Sequence, residues 1–243
     1  MIEIRGLTKR YDRVEALKGI DIDVAPGELF GFLGPNGAGK TTTMQILAGL
    51  LTPTAGSVKI AGIDLATDPR GVKQRIGYLP DRPYIYEKLT GRELLRLFAD
   101  LWGVPAQQAR TRAGDMLDLF GLTHQGDELT EGYSHGMKQR ICLAATLMHD
   151  PDLLIIDEPM VGLDPQGARL FKDLMRQRCA AGKTVLMSTH TLQVAAETCD
   201  RVGIIHRGEI AGVGTVAELR SRYTREGADL EEIFLTMTGG AVA

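Results

Sequence analysis

Polar and apolar residues alternate from the first positions of the chain. IEIRGL at 2–7 and IDIDV at 20–24, where Ile20, Ile22 and Val24 share one face, predict half-buried strands. GELFGFLG at 27–34 opens into a glycine-rich segment, and KTTTMQILAGL after it predicts a helix ending near Gly49. SVKIAG at 57–62 predicts another short strand. The middle third changes period. TGRE at 90–93 is a capping box, with Thr90 as N-cap and Glu93 reaching back, and LLRLFADLW continues helically. Pro105 opens a second helix toward Phe120, and Ser134 a third, with Met137, Ile141, Ala144 and Met148 at helical spacing. The β/α alternation then returns. LLIIDEP at 153–159 and TVLMSTH at 184–190 read as buried strands, each followed by a helix. RVGIIHRGEIAGVG at 201–214 predicts a hairpin turning at Arg207–Gly208, TVAE at 215–218 a second capping box, and LEEIFLTMT at 230–238 a last amphipathic helix. One α/β core interrupted by helices over residues 85–150 is the economical reading.

Composition narrows the function classes. The 243 residues are 44% hydrophobic and 24% charged, with net charge −3, which gives no bulk attraction to nucleic acid or anionic lipid. Cys142, Cys179 and Cys199 are widely spaced and odd in number, so neither a disulfide framework nor a zinc site is indicated. MIEIRGLTKRYD lacks the apolar stretch of a signal peptide, and ICLAATLM at 141–148 is far too short to span a bilayer. A cytoplasmic chain is expected, reaching a membrane only through a partner.

Two segments carry phosphate chemistry. GPNGAGKT at 34–41 fits the G-x-x-x-x-G-K-[ST] loop in full, between a strand and a helix. Its glycines let successive N–H groups face phosphate oxygens, Lys40 would reach the β- and γ-phosphates, and the Thr41 hydroxyl would ligate Mg²⁺. LLIIDEP ends an apolar run on two carboxylates, an expensive arrangement without a cation. Asp157 suits the Mg²⁺ shell, and Glu158 can polarise a water for in-line attack on the γ-phosphate. A third segment, YSHGMKQR at 133–140, places the Ser134 hydroxyl and the Gly136 N–H at a helix start. Taken alone, such an SxG is more simply a serine N-cap.

In this order the three motifs resemble the ATP-binding-cassette (ABC) family, and the resemblance covers essentially the whole chain. It implies a P-loop NTPase core with an N-terminal antiparallel β subdomain and an inserted α-helical subdomain: residues 1–84 and 151–243 for the core, 85–150 for the helical part. Gly34, Pro35, Asn36, Gly37, Ala38, Gly39, Lys40, Thr41 and Thr42 match the phosphate loop, LLIIDEP the acidic strand, and GLDP at 162–165 the D-loop. His190 matches the switch histidine, and Tyr11 in KRYDRVEAL the aromatic that stacks on adenine. The resemblance implies that two such domains pair head to tail, so that Ser134 and Gly136 serve ATP held by the partner. A second nucleotide-binding subunit, a separate transmembrane permease, ATP and Mg²⁺ are the implied partners and cofactors; no nucleic acid is expected. His135, His149 and His206 are read as structural.

The sequence departs from the family pattern at His135 and Met137, where glycine and glutamine are usual, and at Asp81 in IGYLPDRP, where the Q-loop glutamine normally stands. An aspartate there can still offer an oxygen to Mg²⁺. The single cassette, Asp81 and the ending DLEEIFLTMTGG resemble bacterial exporters of the ABC-2 type most closely. An importer cassette would share every motif, and a soluble ABC ATPase acting on ribosomes or DNA is the non-transport alternative.

Overall fold

The computed structural model describes residues 1–82, 84–160, 164–223 and 234. Strands β1 (Ile2–Tyr11) and β2 (Val14–Val24) form a long antiparallel hairpin. β3 (Leu29–Leu33) leads through the glycine-rich loop into α1 (Lys40–Leu47). β4 (Ala55–Ile60) and β5 (Ile63–Asp64) complete a four-stranded antiparallel sheet of order β2-β1-β4-β5. The strands predicted at 2–7, 20–24 and 57–62 are present, and the first two run further than their clean alternation. Register shifts along the hairpin break the period of two, which hides its ends from a pattern of alternation.

A short helix, α2 (Pro69–Lys73), and β6 (Ile76–Leu79) follow. The helical insertion comprises α3 (Gly91–Leu101), α4 (Ala106–Leu119), a 3₁₀ turn at Thr130–Gly132 and α5 (His135–Leu147). The Thr90 capping box closes in both directions. Pro105 is the N-cap of α4 rather than part of it. β7 (Leu153–Ile156), α6 (Pro165–Ala180), β8 (Thr184–Thr189) and α7 (Leu192–Thr198) restore the β/α alternation. β9 (Arg201–His206) and β10 (Glu209–Gly214) form the predicted hairpin, turning at Arg207 (φ 48°) and Gly208 (φ 82°). The 215–218 capping box opens α8 (Val216–Tyr223), with both the Thr215 N–H to Glu218 and the Glu218 N–H to Thr215 bonds made. The helix expected at 230–238 lies outside the described residues, apart from Phe234.

The second sheet has order β10-β9-β3-β8-β7-β6, parallel except for β10. Its central strands are buried on both faces. Leu153, Ile155 and Leu186 pack toward the N-terminal sheet with Ile2, Ile4 and Met44. Leu154, Ile156, Val185 and Met187 face the helices, against Leu143, Met148 and Met175. This two-sided burial explains why β7 and β8 read as apolar runs rather than alternations. The insertion is tied back at its C-terminal end, where His149 stacks on Trp102 at 4.2 Å and donates from Nε2 to the Ile76 carbonyl at 2.9 Å. The α/β core with its antiparallel sheet and inserted helices is the fold expected from the sequence.

Candidate nucleotide site

In a parallel sheet, the carboxyl ends of the strands are where a ligand finds the N-termini of the following helices. β3 pairs with β8 in a register that sets Leu33 beside Thr189, and β7 pairs with β8 so that Ile156 lies beside Met187. Gly34, Asp157, Ser188 and His190 therefore emerge at one edge. At Gly34 a Cβ would stand 2.4 Å from the Ile205 carbonyl oxygen, so no larger residue fits. Gly39, the N-cap of α1, has φ 113°, and a Cβ there would meet Leu17 Cδ2 at 2.8 Å and Ala16 O at 2.9 Å. The loop is thus pressed onto the N-terminal hairpin in a backbone conformation that glycine tolerates.

Lys40 is folded back under this loop. Its Nζ donates to Gly34 O at 2.6 Å and Pro35 O at 3.3 Å, and lies 3.5 Å from Glu158 Oε1. Those carbonyls are weak partners for a buried ammonium, which would exchange them readily for phosphate oxygens. The Thr41 hydroxyl donates to Asp157 Oδ2 at 2.8 Å, and Ser188 Oγ donates to Asp157 Oδ1. Ser188 also accepts the Glu158 N–H at 3.1 Å. His190 Nδ1 lies 2.9 Å from Glu158 Oε2. Glu158 itself has φ 51°, an uncommon left-handed conformation for a residue with a side chain, and its Oε1 is buried without a hydrogen bond. The phenol of nearby Tyr78 is pushed up to about 12, by burial first and then by Asp157 and Asp81.

A cleft of about 200 Å³ is lined by Ala16, Pro35, Asn36, Gly37, Gly39, Lys40, Thr41, Thr42, Asp81 and Glu158. Gly34 and Ala38 are buried beneath it. A hydroxyl and a carboxylate sharing one hydrogen bond, in a pocket with surplus acid, are the hard oxygen donors that suit Mg²⁺. Three predicted positions lie elsewhere. Tyr11 is exposed at the end of the β1–β2 hairpin, with Lys9 Nζ 5.0 Å from its ring centroid. Ser134 is the N-cap of α5, accepting from the Met137 N–H at 3.3 Å, and neither it nor Gly136 lines the cleft. Of the expected D-loop, Asp164 caps α6 through the Gly167 N–H at 2.7 Å, while 162–163 lie outside the described residues. Past Asp81 the chain exposes Tyr84 and Tyr86, whose rings meet edge to face at 5.7 Å beside an open hollow of about 910 Å³.

The sequence reading missed Ser188. It is fully buried, and its hydroxyl joins Asp157 to the Glu158 backbone. The available signal was a polar residue inside the apolar β8 run, two positions before His190.

Fold and cleft together define a P-loop nucleoside triphosphatase. The ABC transporter family model matches residues 17–161. The linearmycin resistance ATP-binding protein of Bacillus subtilis (strain 168) is 37% identical over 222 residues, 91% of this chain and 71% of that protein. A daunorubicin resistance ATP-binding protein of Streptomyces coeruleorubidus is 39% identical over 242 residues, 100% of this chain and 77% of that protein. Among solved structures, an ATP-binding subunit of an ABC transporter matches with TM-score 0.92 at 33% identity, covering 98% of this chain and 99% of the other. A dimeric ATP-binding cassette in a post-hydrolysis state, bound to ADP and Pi, matches with TM-score 0.81 at 25% identity, covering 88% and 98%. The chain belongs to the ABC transporter family, as a nucleotide-binding ATPase subunit. No helix among the described residues is long and apolar enough to cross a membrane.

Proposed function

We propose that two copies of this chain close head to tail over two ATP molecules and drive a separate transmembrane permease, as an exporter of the ABC-2 type. The observation that carries this reading is the division of the phosphate donors. Lys40, Thr41 and Glu158 line one cleft, with Asp157 buried behind it on the Thr41 hydroxyl, whereas the exposed Ser134 and the half-buried Gly136 open a helix outside it. A second copy would bring the missing donors to each cleft. The drug-resistance names of the relatives favour export over import, and the dimeric cassette supports the pairing. The exposed Tyr84 and Tyr86, next to Asp81, offer the permease an apolar contact on the cytoplasmic face. The proposed division is residues 1–84 and 151–243 for the core and 85–150 for the helical subdomain.

In this mechanism the loop N–H groups that the chain leaves free beyond Pro35, together with the Lys40 ammonium, bind the phosphates, and Tyr11 stacks on adenine. Thr41 and Asp157 would hold Mg²⁺, with Asp81, which lines the same cleft, as a further oxygen donor, and the ion would neutralise charge on the phosphates. Glu158 takes a proton from the attacking water, and ATP and water become ADP and phosphate. His190 steadies Glu158 through Nδ1; its Nε2 can donate to the γ-phosphate only as imidazolium, because the first proton already faces the carboxylate.

Glu158→Gln tests the assignment. The amide is nearly isosteric but accepts no proton, so turnover should fall by ~10²–10⁴ while ATP binding persists and ATP holds two chains together. Hydrolysis at the wild-type rate under saturating Mg-ATP would remove Glu158 from the role of base.

A further inference from the structure

Gln139 lies on α5, in the turn after Ser134 and Gly136, and points away from both toward the end of β7. Its Nε2 donates to the Pro159 carbonyl at 3.0 Å. A carbonyl can only accept, so this bond fixes the orientation of the amide and turns Oε1 the other way. That oxygen is buried without a partner. Its surroundings are largely apolar: Leu79, Phe120, Leu143, Leu170 and Phe171 line the small void beside it. Such a pocket is a costly place for a half-satisfied amide, and a leucine of similar size would fill it without that cost. What the glutamine supplies there is one directed hydrogen bond.

That bond falls on the residue next to Glu158. Glu158 holds its left-handed backbone between two fixed points: Ser188 Oγ accepts its N–H, and Gln139 holds the carbonyl of the proline that follows. The helix bearing Gln139 is itself anchored at its start. Arg140 donates to the Gly136 carbonyl at 3.3 Å and to the Phe120 carbonyl at 3.1 Å, joining α5 to the end of α4.

We propose that Gln139 is a positioning residue for Glu158, and that it makes the aim of Glu158 depend on where the Ser134–Gly136 end of α5 sits. The proposal rests on the reading of Glu158 as the base. In a head-to-tail pair, Ser134 and Gly136 contact one ATP and Glu158 acts on the other. The Gln139–Pro159 bond is then a mechanical link between the two sites within one chain. A displacement of about an ångström at a reacting group is enough to cost ~10²-fold in rate.

The test is a double-mutant cycle on the full chain, with kcat, KM for ATP, ATP affinity and Tm measured for each variant. Gln139→Leu keeps the volume and removes the donor; Gln139→Met, unbranched and flexible, stands in if the leucine variant does not fold. The expected result is a kcat lowered at least ~10-fold with KM, affinity and Tm held. In a Glu158→Gln background the same substitution should lower the residual rate no further, because the group it positions is already disabled. If Gln139→Leu leaves kcat unchanged while Glu158→Gln abolishes turnover, the positioning role is wrong and the base assignment stands. If Gln139→Leu lowers Tm, affinity and rate alike in both backgrounds, the residue is only structural. If Glu158→Gln turns over normally, the base reading fails and the proposal fails with it.

Discussion

Helix α1 begins at Gly39 with no side-chain cap, under a loop pressed onto the β1–β2 hairpin and facing Lys40, Asp157 and Glu158. Helix α5 begins at Ser134, whose own hydroxyl accepts the Met137 N–H, and the residues there are exposed. Both ends present donors and a partial positive charge. The first has no side-chain cap and is walled by the groups proposed to act on a bound phosphate. The second is already capped: Ser134 keeps only its O–H proton to offer, and Lys138 in the same turn is paired with Glu87 at 2.7 Å. An uncapped helix end surrounded by such groups is suited to hold a nucleotide on its own chain. A capped, exposed end would contribute, in the proposed pairing, when another surface brings the nucleotide to it.

Breaking the second end alone should have the largest effect on assembly. Ser134→Arg places bulk and charge where the proposed pairing docks the partner's γ-phosphate and leaves residues 34–42 untouched. ATP binding by the monomer should stay near normal while ATP-driven dimerisation, followed by light scattering, disappears. Dimerisation that survives this substitution would mean that α5 takes no part in the pairing.

Ser188→Ala sharpens the first end. It leaves the Glu158 N–H and one oxygen of Asp157 without their buried partner, a loss worth about 1–3 kcal/mol. Turnover should fall by roughly tenfold, since 1.4 kcal/mol is a factor of ten in rate, and Tm should fall with it, while dimerisation of chains that also carry Glu158→Gln is retained. A Ser188→Ala chain with normal turnover would show that Glu158 keeps its aim without this hydroxyl.

How much of this contrast the sequence carried depends on how local each feature is. The phosphate loop and the acidic strand end are contiguous, so GPNGAGKT and LLIIDEP reveal the residue types and the order at once. Thr90, Ser134 and Thr215 announce their helices because a cap is a matter of adjacent residues. Ser188 and Gln139 were not legible in the same way. Ser188 matters because β8 lies between β3 and β7, an order that inverts the order along the chain. Gln139 comes into view because α5 brings it to the Pro159 carbonyl just beyond β7, a contact that no periodicity encodes. β6 was hidden too: Ile76–Leu79 is too short for a pattern, and it reads instead as the lead-in to Asp81.

The smallest effect is expected at Asp81, which lines the cleft yet is exposed and, among the described residues, has no hydrogen bond or ion pair. Asp81→Gln removes a negative charge from the cleft proposed to hold the γ-phosphate. Basal ATPase activity should be preserved or raised by no more than about fivefold, the rate equivalent of ~1 kcal/mol for an exposed charge. An Asp81→Gln subunit that no longer hydrolyses ATP would make the carboxylate an essential part of the chemistry.

The central claim, that each cleft is completed by the other chain, is tested most directly by mixing two defective chains. One carries Lys40→Ala and an intact α5 end; the other carries Ser134→Arg and an intact loop; both carry Glu158→Gln so that captured ATP is not consumed. Each alone should retain no ATP after rapid gel filtration. Mixed, they can form one intact composite site per heterodimer, from the loop of one and the helix end of the other, and the mixture should retain ATP in that proportion. A mixture that captures no more ATP than its components, or a Ser134→Arg chain that captures it alone, would contradict the shared site.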